Sequence, residues 1–365
     1  MQRNREAART RGSATAALAL ALAATALVHL HAQTDRRLPA RIDDLLRREG
    51  EALVRLADAA ERGRSTRSDF PIGWRNDFFK AQPGTFVPFT ITFDSTRFAS
   101  ATALMYIRAQ RRDPAAAEKA SVKRPPYGYE TIFPLTLERG AAQPTTVRRG
   151  FAVAPGRYRV TVVIREAPDE GARADARDRR ASVLQEDLDV PDFWSGELAT
   201  STVILADRIE RLPRPIPSDE LDEDPYVVGT QRIHPSMTST FTRQRELIVA
   251  FLIYNPAVGP DKHFDVQVDY HLYRQDRGGD VPGGTGDHPP ARPGERYVTR
   301  TNPQRFNPSL MGGQFDPAAG APVLAGQGIL LAGFDPGTYR LAITVTDLLS
   351  RKTVSRDVAF TVIGS

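Results

Sequence analysis

The sequence contains no cysteine. That excludes a disulfide framework, thiolate metal sites, a cysteine nucleophile and a lipid-modified N-terminal Cys. Stability in an oxidising compartment must then come from the core alone, which a chain of 365 residues is long enough to build. The familiar catalytic signatures are missing too. There is no Gly-x-Ser-x-Gly elbow, no His-Glu-x-x-His and no Ser-x-x-Lys. Five glycines between Gly278 and Gly286 are not followed by Lys-Ser/Thr and do not form a phosphate loop. Nor is there a long block of one charge. Four of the 49 basic residues and one of the 44 acidic ones lie in the first 32 positions, leaving 45 and 43 in the rest. The bases are mostly arginine, scattered and without interleaved aromatics, which argues against a nucleic-acid partner.

Turn formers are plentiful, with 28 Pro and 27 Gly, in a chain that is 41% hydrophobic and 25% charged. This composition suits a globular all-β fold. One stretch occurs twice. Pro155-Gly156-Arg157-Tyr158 opens an alternating run in which Tyr158, Val160, Val162 and Ile164 share a face. Pro336-Gly337-Thr338-Tyr339 opens the same pattern through Leu341, Ile343 and Val345. Pro-Gly suits a type II turn and the β-branched alternation a half-buried strand. The flanking runs also correspond: Thr85 to Phe93 is like Glu246 to Tyr254, and Ala103 to Gln110 is like Val266 to Gln275. The motif tyrosines are too far apart for a solenoid, so the pattern indicates domain duplication.

The expected order is a signal peptide over 1–33, a helix and connector over 34–83, a first β-sandwich over 84–212, a Pro-rich acidic linker over 213–225 and a second β-sandwich over 226–365. The signal reading rests on the Arg-rich start and the uncharged segment Ala14 to Leu30. At 17 residues that segment is short for a membrane anchor, which remains the alternative. Arg41 to Glu61 carries an apolar stripe at helical spacing, interrupted by Glu49 and ended by Gly63. Ser201 to Ala206 is read as the closing strand of the first sandwich.

Candidate chemistry is sparse. From His263, one face of a strand carries Asp265, Gln267, Asp269 and His271, yet a single extended strand spreads these donors too widely for one metal ion. That face is expected to be solvated. Asp219, Asp222 and Asp224 in the linker suggest either calcium or a solvated acidic spacer, and the spacing does not fit a 12-residue calcium loop. Phe193 and Trp194, after Pro191, are the candidate interaction residues, able to anchor a partner, stack on a sugar ring or tuck back as a lid. No catalytic, metal or cofactor-binding residue is identified, and no cofactor is expected.

A tyrosine that opens a strand two residues before a core position resembles the tyrosine corner of immunoglobulin-like sandwiches. Val160 and Leu341 stand where an immunoglobulin domain has its second Cys, so the resemblance is to fibronectin-III-like or generic immunoglobulin-like modules of bacterial exported proteins. Gly73-Trp74-Arg75-Asn76-Asp77 resembles the Gly-Trp-x-Thr-Asp (GWxTD) signature that names a family of such proteins, with Asn76 in place of Thr. The resulting expectation is an all-β protein of two immunoglobulin-like β-sandwich domains in tandem, preceded by a signal peptide and an amphipathic α-helix. It would be exported, non-catalytic and periplasmic or extracellular. Its expected partner is an envelope or extracellular protein, with polysaccharide as the alternative and an enzyme with an inter-domain cleft as the third possibility.

Overall fold

A computed structural model describes residues 40–364 except 83, 97, 113–126, 139–143, 169–178, 218–219, 276–287 and 312–314. The expected signal peptide, Asp219 and the Gly278 to Gly286 loop lie outside these residues. Of the described residues, 54% lie in strands against 10% in helices, and the fold is all-β.

After helix α1 (Ala40–Glu61), the first half contains β1 (Ile72–Asn76), β2 (Phe79–Ala81), β3 (Gly84–Phe93), β4 (Thr102–Arg111), β5 (Tyr129–Thr136), β6 (Thr145–Val153), β7 (Gly156–Glu166) and β8 (Ala181–Val190). The second half contains β9 (Ala199–Thr200), β10 (Ile204–Arg211), β11 (Val227–Val228), β12 (Gln231–Pro235), β13 (Thr240–Thr242), β14 (Glu246–Tyr254), β15 (Val266–Gln275), β16 (Glu295–Arg300), β17 (Gln304–Phe306), β18 (Val323–Leu330), β19 (Gly337–Asp347) and β20 (Thr353–Ile363).

Each half builds two facing sheets. In the first, β5-β4-β7-β8 packs over a sheet in which β3 carries β1, β2 and β6. Phe89, Ile91, Met105, Ile107, Val160 and Val162 fill the space between them. In the second, β16-β15-β19-β20 faces a sheet that includes β12-β10-β14-β18. Val249, Phe251, Val266, Val268, Leu341 and Ile343 lie in that core. The strand orders β5-β4-β7-β8 and β16-β15-β19-β20 match, and β3–β6 matches β14–β18. The alternation that marks the repeat is thus the inward face of equivalent central strands.

Both motif tyrosines do the same job. Tyr158 donates its hydroxyl to the Ala154 carbonyl at 2.9 Å, and Tyr339 to the Asp335 carbonyl at 2.7 Å, each four residues upstream. The Pro-Gly pairs do not form the expected type II turns. Gly156 has φ 142°, not the roughly +80° of such a turn. Gly156 and Gly337 already sit in the ladder, opposite Val190 and Val362.

Helix α1 packs on the outer face of β4 and β7, where Leu53 and Ala57 meet Leu104, Tyr106 and Val163. Its end is fixed by Gly63 (φ 67°), with Gly63 N–H bonded to Ala60 O and Arg64 N–H to Ala59 O, both at 3.0 Å. This is the Schellman arrangement, which favours glycine at the left-handed position. Charge also holds the helix. Arg108 on β4 is 1% exposed and donates to Asp58 at 2.8 Å and Glu61 at 2.7 Å. Glu49, which broke the apolar stripe, accepts from Arg165 and Arg179.

Three expectations are corrected. Ser201 to Ala206 does not close the first sandwich: β10 pairs with β14 and β12, so its hydrogen bonds go to the second half. Residues 213–225 consequently join two strands of one sheet, β10 and β11, rather than linking the halves. The outward face of β15 is not solvated throughout. His271 is 5% exposed and Tyr273 fully buried, because Tyr297, His288 and the Arg340–Glu295 ion pair cover them.

Candidate functional site

The two halves meet along a seam built by the 72–82 connector. β1 pairs with residues 89–93 of β3, and β2 with residues 84–86 of the same strand. Between them the ladder stops at Asp77-Phe78. Opposite this break stands Pro88, which has no N–H to give. Its carbonyl accepts from Asp77 N–H at 3.0 Å. Asp77 is thereby free to turn its side chain to the second half.

Every residue of the Gly-Trp-Arg-Asn-Asp run then has a physical role. A Cβ on Gly73 would meet Thr92 Oγ1 at 2.4 Å, so a larger residue there would force the Thr92 side chain to move. The Trp74 indole stacks on Phe89 at 5.0 Å and donates to Asn76 Oδ1 at 3.0 Å. Arg75 donates to the Ser236 carbonyl at 2.5 Å and to Asp77 at 3.4 Å. Asp77, 1% exposed, accepts from the Tyr226 hydroxyl at 2.8 Å. Burial raises the Asp77 carboxyl above its ordinary value, while Arg75 and the Tyr226 hydroxyl oppose that shift. Further bonds run from Phe78 N–H to Thr202 Oγ1 at 2.9 Å and from Lys80 N–H to the Tyr254 hydroxyl at 3.1 Å. Phe79, Phe86, Ala206, Ile233 and Leu252 complete a separate apolar cluster across the seam. The run fastens the first half to the second.

Next to this staple lies a small recess of about 60 Å³. Phe79, Phe86, Val227, Leu252, Tyr254 and Pro322 form its apolar walls, and Lys80 and Trp194 complete the lining. The structure separates the two candidate interaction residues. Phe193 is 3% exposed, packs on Tyr254 at 5.0 Å and accepts from Asn255 Nδ2 through its carbonyl. It is a packing residue. Trp194 is 44% exposed. Its indole N–H is shared between the carbonyls of Ala81 (2.8 Å) and Gly84 (2.9 Å), which fixes the ring at the rim of the recess. Lys80 Nζ sits 4.3 Å from the ring centroid and 2.6 Å from Asn255 Oδ1. Burial lowers the Lys80 ammonium below its usual value. Trp194 stands out in the sequence from its exposed-loop context, whereas nothing along the chain links it to Lys80, Val227 and Tyr254.

The other candidates do not converge. Among the described residues, no group of three or more His, Asp or Glu side chains is gathered to hold a metal ion. In the acidic stretch, Asp224 is engaged by Arg232 at 2.7 Å, and the Asp222 carbonyl accepts from Gly150 N–H at 3.1 Å. Among the described residues, no helix is long and apolar enough to cross a membrane.

No family model matches the chain, and no curated protein matches it. Among solved structures it is similar to Salmonella alpha-2-macroglobulin reacted with methylamine, at 12% identity and TM-score 0.21 over 82% of this chain and 17% of that one. It is similar at the same TM-score of 0.21 to red sea bream transglutaminase, at 10% identity over 84% of this chain and 33% of that one. The chain thus spans a third or less of either protein. Likeness at this level carries no argument, and the β architecture rests on the strand pairings above.

Proposed function

We propose that the chain is a non-catalytic extracytoplasmic protein of two immunoglobulin-like modules, which binds an envelope or extracellular protein at the recess between its halves. The observation that carries this reading is the rim tryptophan. Trp194 is locked by two backbone carbonyls, half-exposed, and set beside an apolar recess. A rigid indole at the edge of a desolvating pocket is the usual anatomy of an interaction hot spot. Support for the module reading comes from the matching strand orders and the paired tyrosine corners. Support for export comes from the Arg-rich start followed by Ala14 to Leu30.

Carbohydrate is the second reading, since an exposed indole can stack on a sugar ring. It is weakened by Lys80, which already occupies one face of the ring. The experiment is affinity capture from the exported fraction with wild-type and Trp194→Ala chains, alongside a polysaccharide panel. A polypeptide retained by the wild type and lost with Trp194→Ala supports the proposal. Retention on polysaccharide, lost with the same variant, replaces it with the second reading.

A further inference from the structure

Resting on that reading, we infer that the recess takes a peptide segment in which an apolar side chain stands next to a carboxylate, the apolar group entering the recess and the carboxylate pairing with Lys80. The inference comes from charge complementarity. Among the described residues there are three lysines. Lys262 is paired with Asp316 and Lys352 with Glu197, each at 2.7 Å. Among the described residues, no carboxylate is paired with Lys80. Its ammonium has three N–H donors, of which one reaches the neutral Asn255 oxygen. The Trp194 ring offers the charge a π-face. That face stabilises a cation without neutralising it.

The surroundings favour a matching charge. Lys80 lines the recess together with Phe79, Phe86, Leu252 and Tyr254, and partial burial makes its charge less well solvated than in water. Its lowered pKa follows from that burial, and a bound carboxylate would raise it again. The remaining walls offer apolar surface with few polar groups, so they favour an aliphatic or aromatic side chain over a second charge. An anion with no apolar neighbour would leave the recess unfilled, and an apolar group alone would leave Lys80 unpaired.

The test uses the full-length exported chain and fluorescently labelled tetrapeptides, Ac-Gly-Glu-Leu-Gly and Ac-Gly-Glu-Phe-Gly, against their Gln counterparts, read by fluorescence polarisation. The Glu peptides are expected to bind about tenfold or more tightly than the Gln peptides, the scale of a hydrogen bond to a charged group. That preference should shrink as salt is added. Lys80→Met, which keeps the aliphatic stem, should bring Glu and Gln peptides to the same affinity, and Lys80→Arg should keep them apart. The Glu/Gln comparison on the unmutated chain stands even if a Lys80 variant folds poorly. Equal binding of Glu and Gln peptides, or binding of neither, overturns the inference. Capture that depends on Trp194 can survive either result, so failure here is distinct from failure of the proposed function.

Discussion

Replacing Tyr226 by Phe removes one oxygen atom from the seam and should cost about 2 kcal/mol of stability. The ring itself stays. It remains edge-on to Phe79 at 6.1 Å, so no cavity opens. What is lost is the hydroxyl that donates to Asp77 at 2.8 Å. Both residues are 1% exposed, so water does not replace it. The carboxylate keeps only the longer 3.4 Å contact with Arg75. Hydrogen bonds to charged groups are worth about 1.5–3 kcal/mol, and a buried acceptor left unsatisfied costs a similar amount. With a urea slope of about 3 kcal/mol/M, 2 kcal/mol shifts the midpoint by about 0.7 M. The assay is urea unfolding at pH 7 by circular dichroism, with amide exchange of β7 and β19 read in parallel. A staple that joins the halves predicts weakened protection in both strands. A midpoint within about 0.2 M of wild type, or loss of protection in one half alone, would refute the reasoning.

The same site sets a pH dependence. Burial raises the Asp77 carboxyl above its unfolded value of 3.8, so the folded chain holds the proton more tightly and folding takes it up. The stability contributed by this group therefore falls as pH rises above about 4. The stability difference between wild type and Asp77→Asn should shrink from pH 4 upward, and urea midpoints across a pH series check the sign. Arg108→Met should release the end of α1 by leaving Asp58 and Glu61 without their buried cation, at a cost of about 3 kcal/mol. Faster proteolytic cleavage between Arg62 and Arg67 measures it. Intact mass of the exported protein should lack residues 1–30.

Much of the fold could be read from the chain because alternation is a local signal. The runs at 85–93, 103–110, 246–254 and 266–275 are strands within one residue of the expected ends. Strand β8 escaped detection because Ser182 and Glu186 interrupt the apolar side that holds Leu184, Leu188 and Val190. β1 and β2 were hidden in an aromatic-rich connector whose partner strand follows it. The seam was illegible for a different reason. Asp77 and Tyr226 are 149 positions apart, and Lys80 and Asn255 are 175 apart. Neither pair has a periodicity to betray it. Phe193 and Trp194 looked equivalent as neighbours in one loop. The backbone turns one under Tyr254 and leaves the other at the rim.

The most direct test of the recess as a binding site is photo-crosslinking from within it. A benzoylphenylalanine placed at Val228, on the recess wall, is compared in the exported fraction with one placed at Leu330, which is 74% exposed on β18. The account predicts a discrete crosslinked polypeptide from position 228, none from 330, and its loss when Trp194→Ala is added. No crosslink from 228, or the same products from both positions, would contradict it.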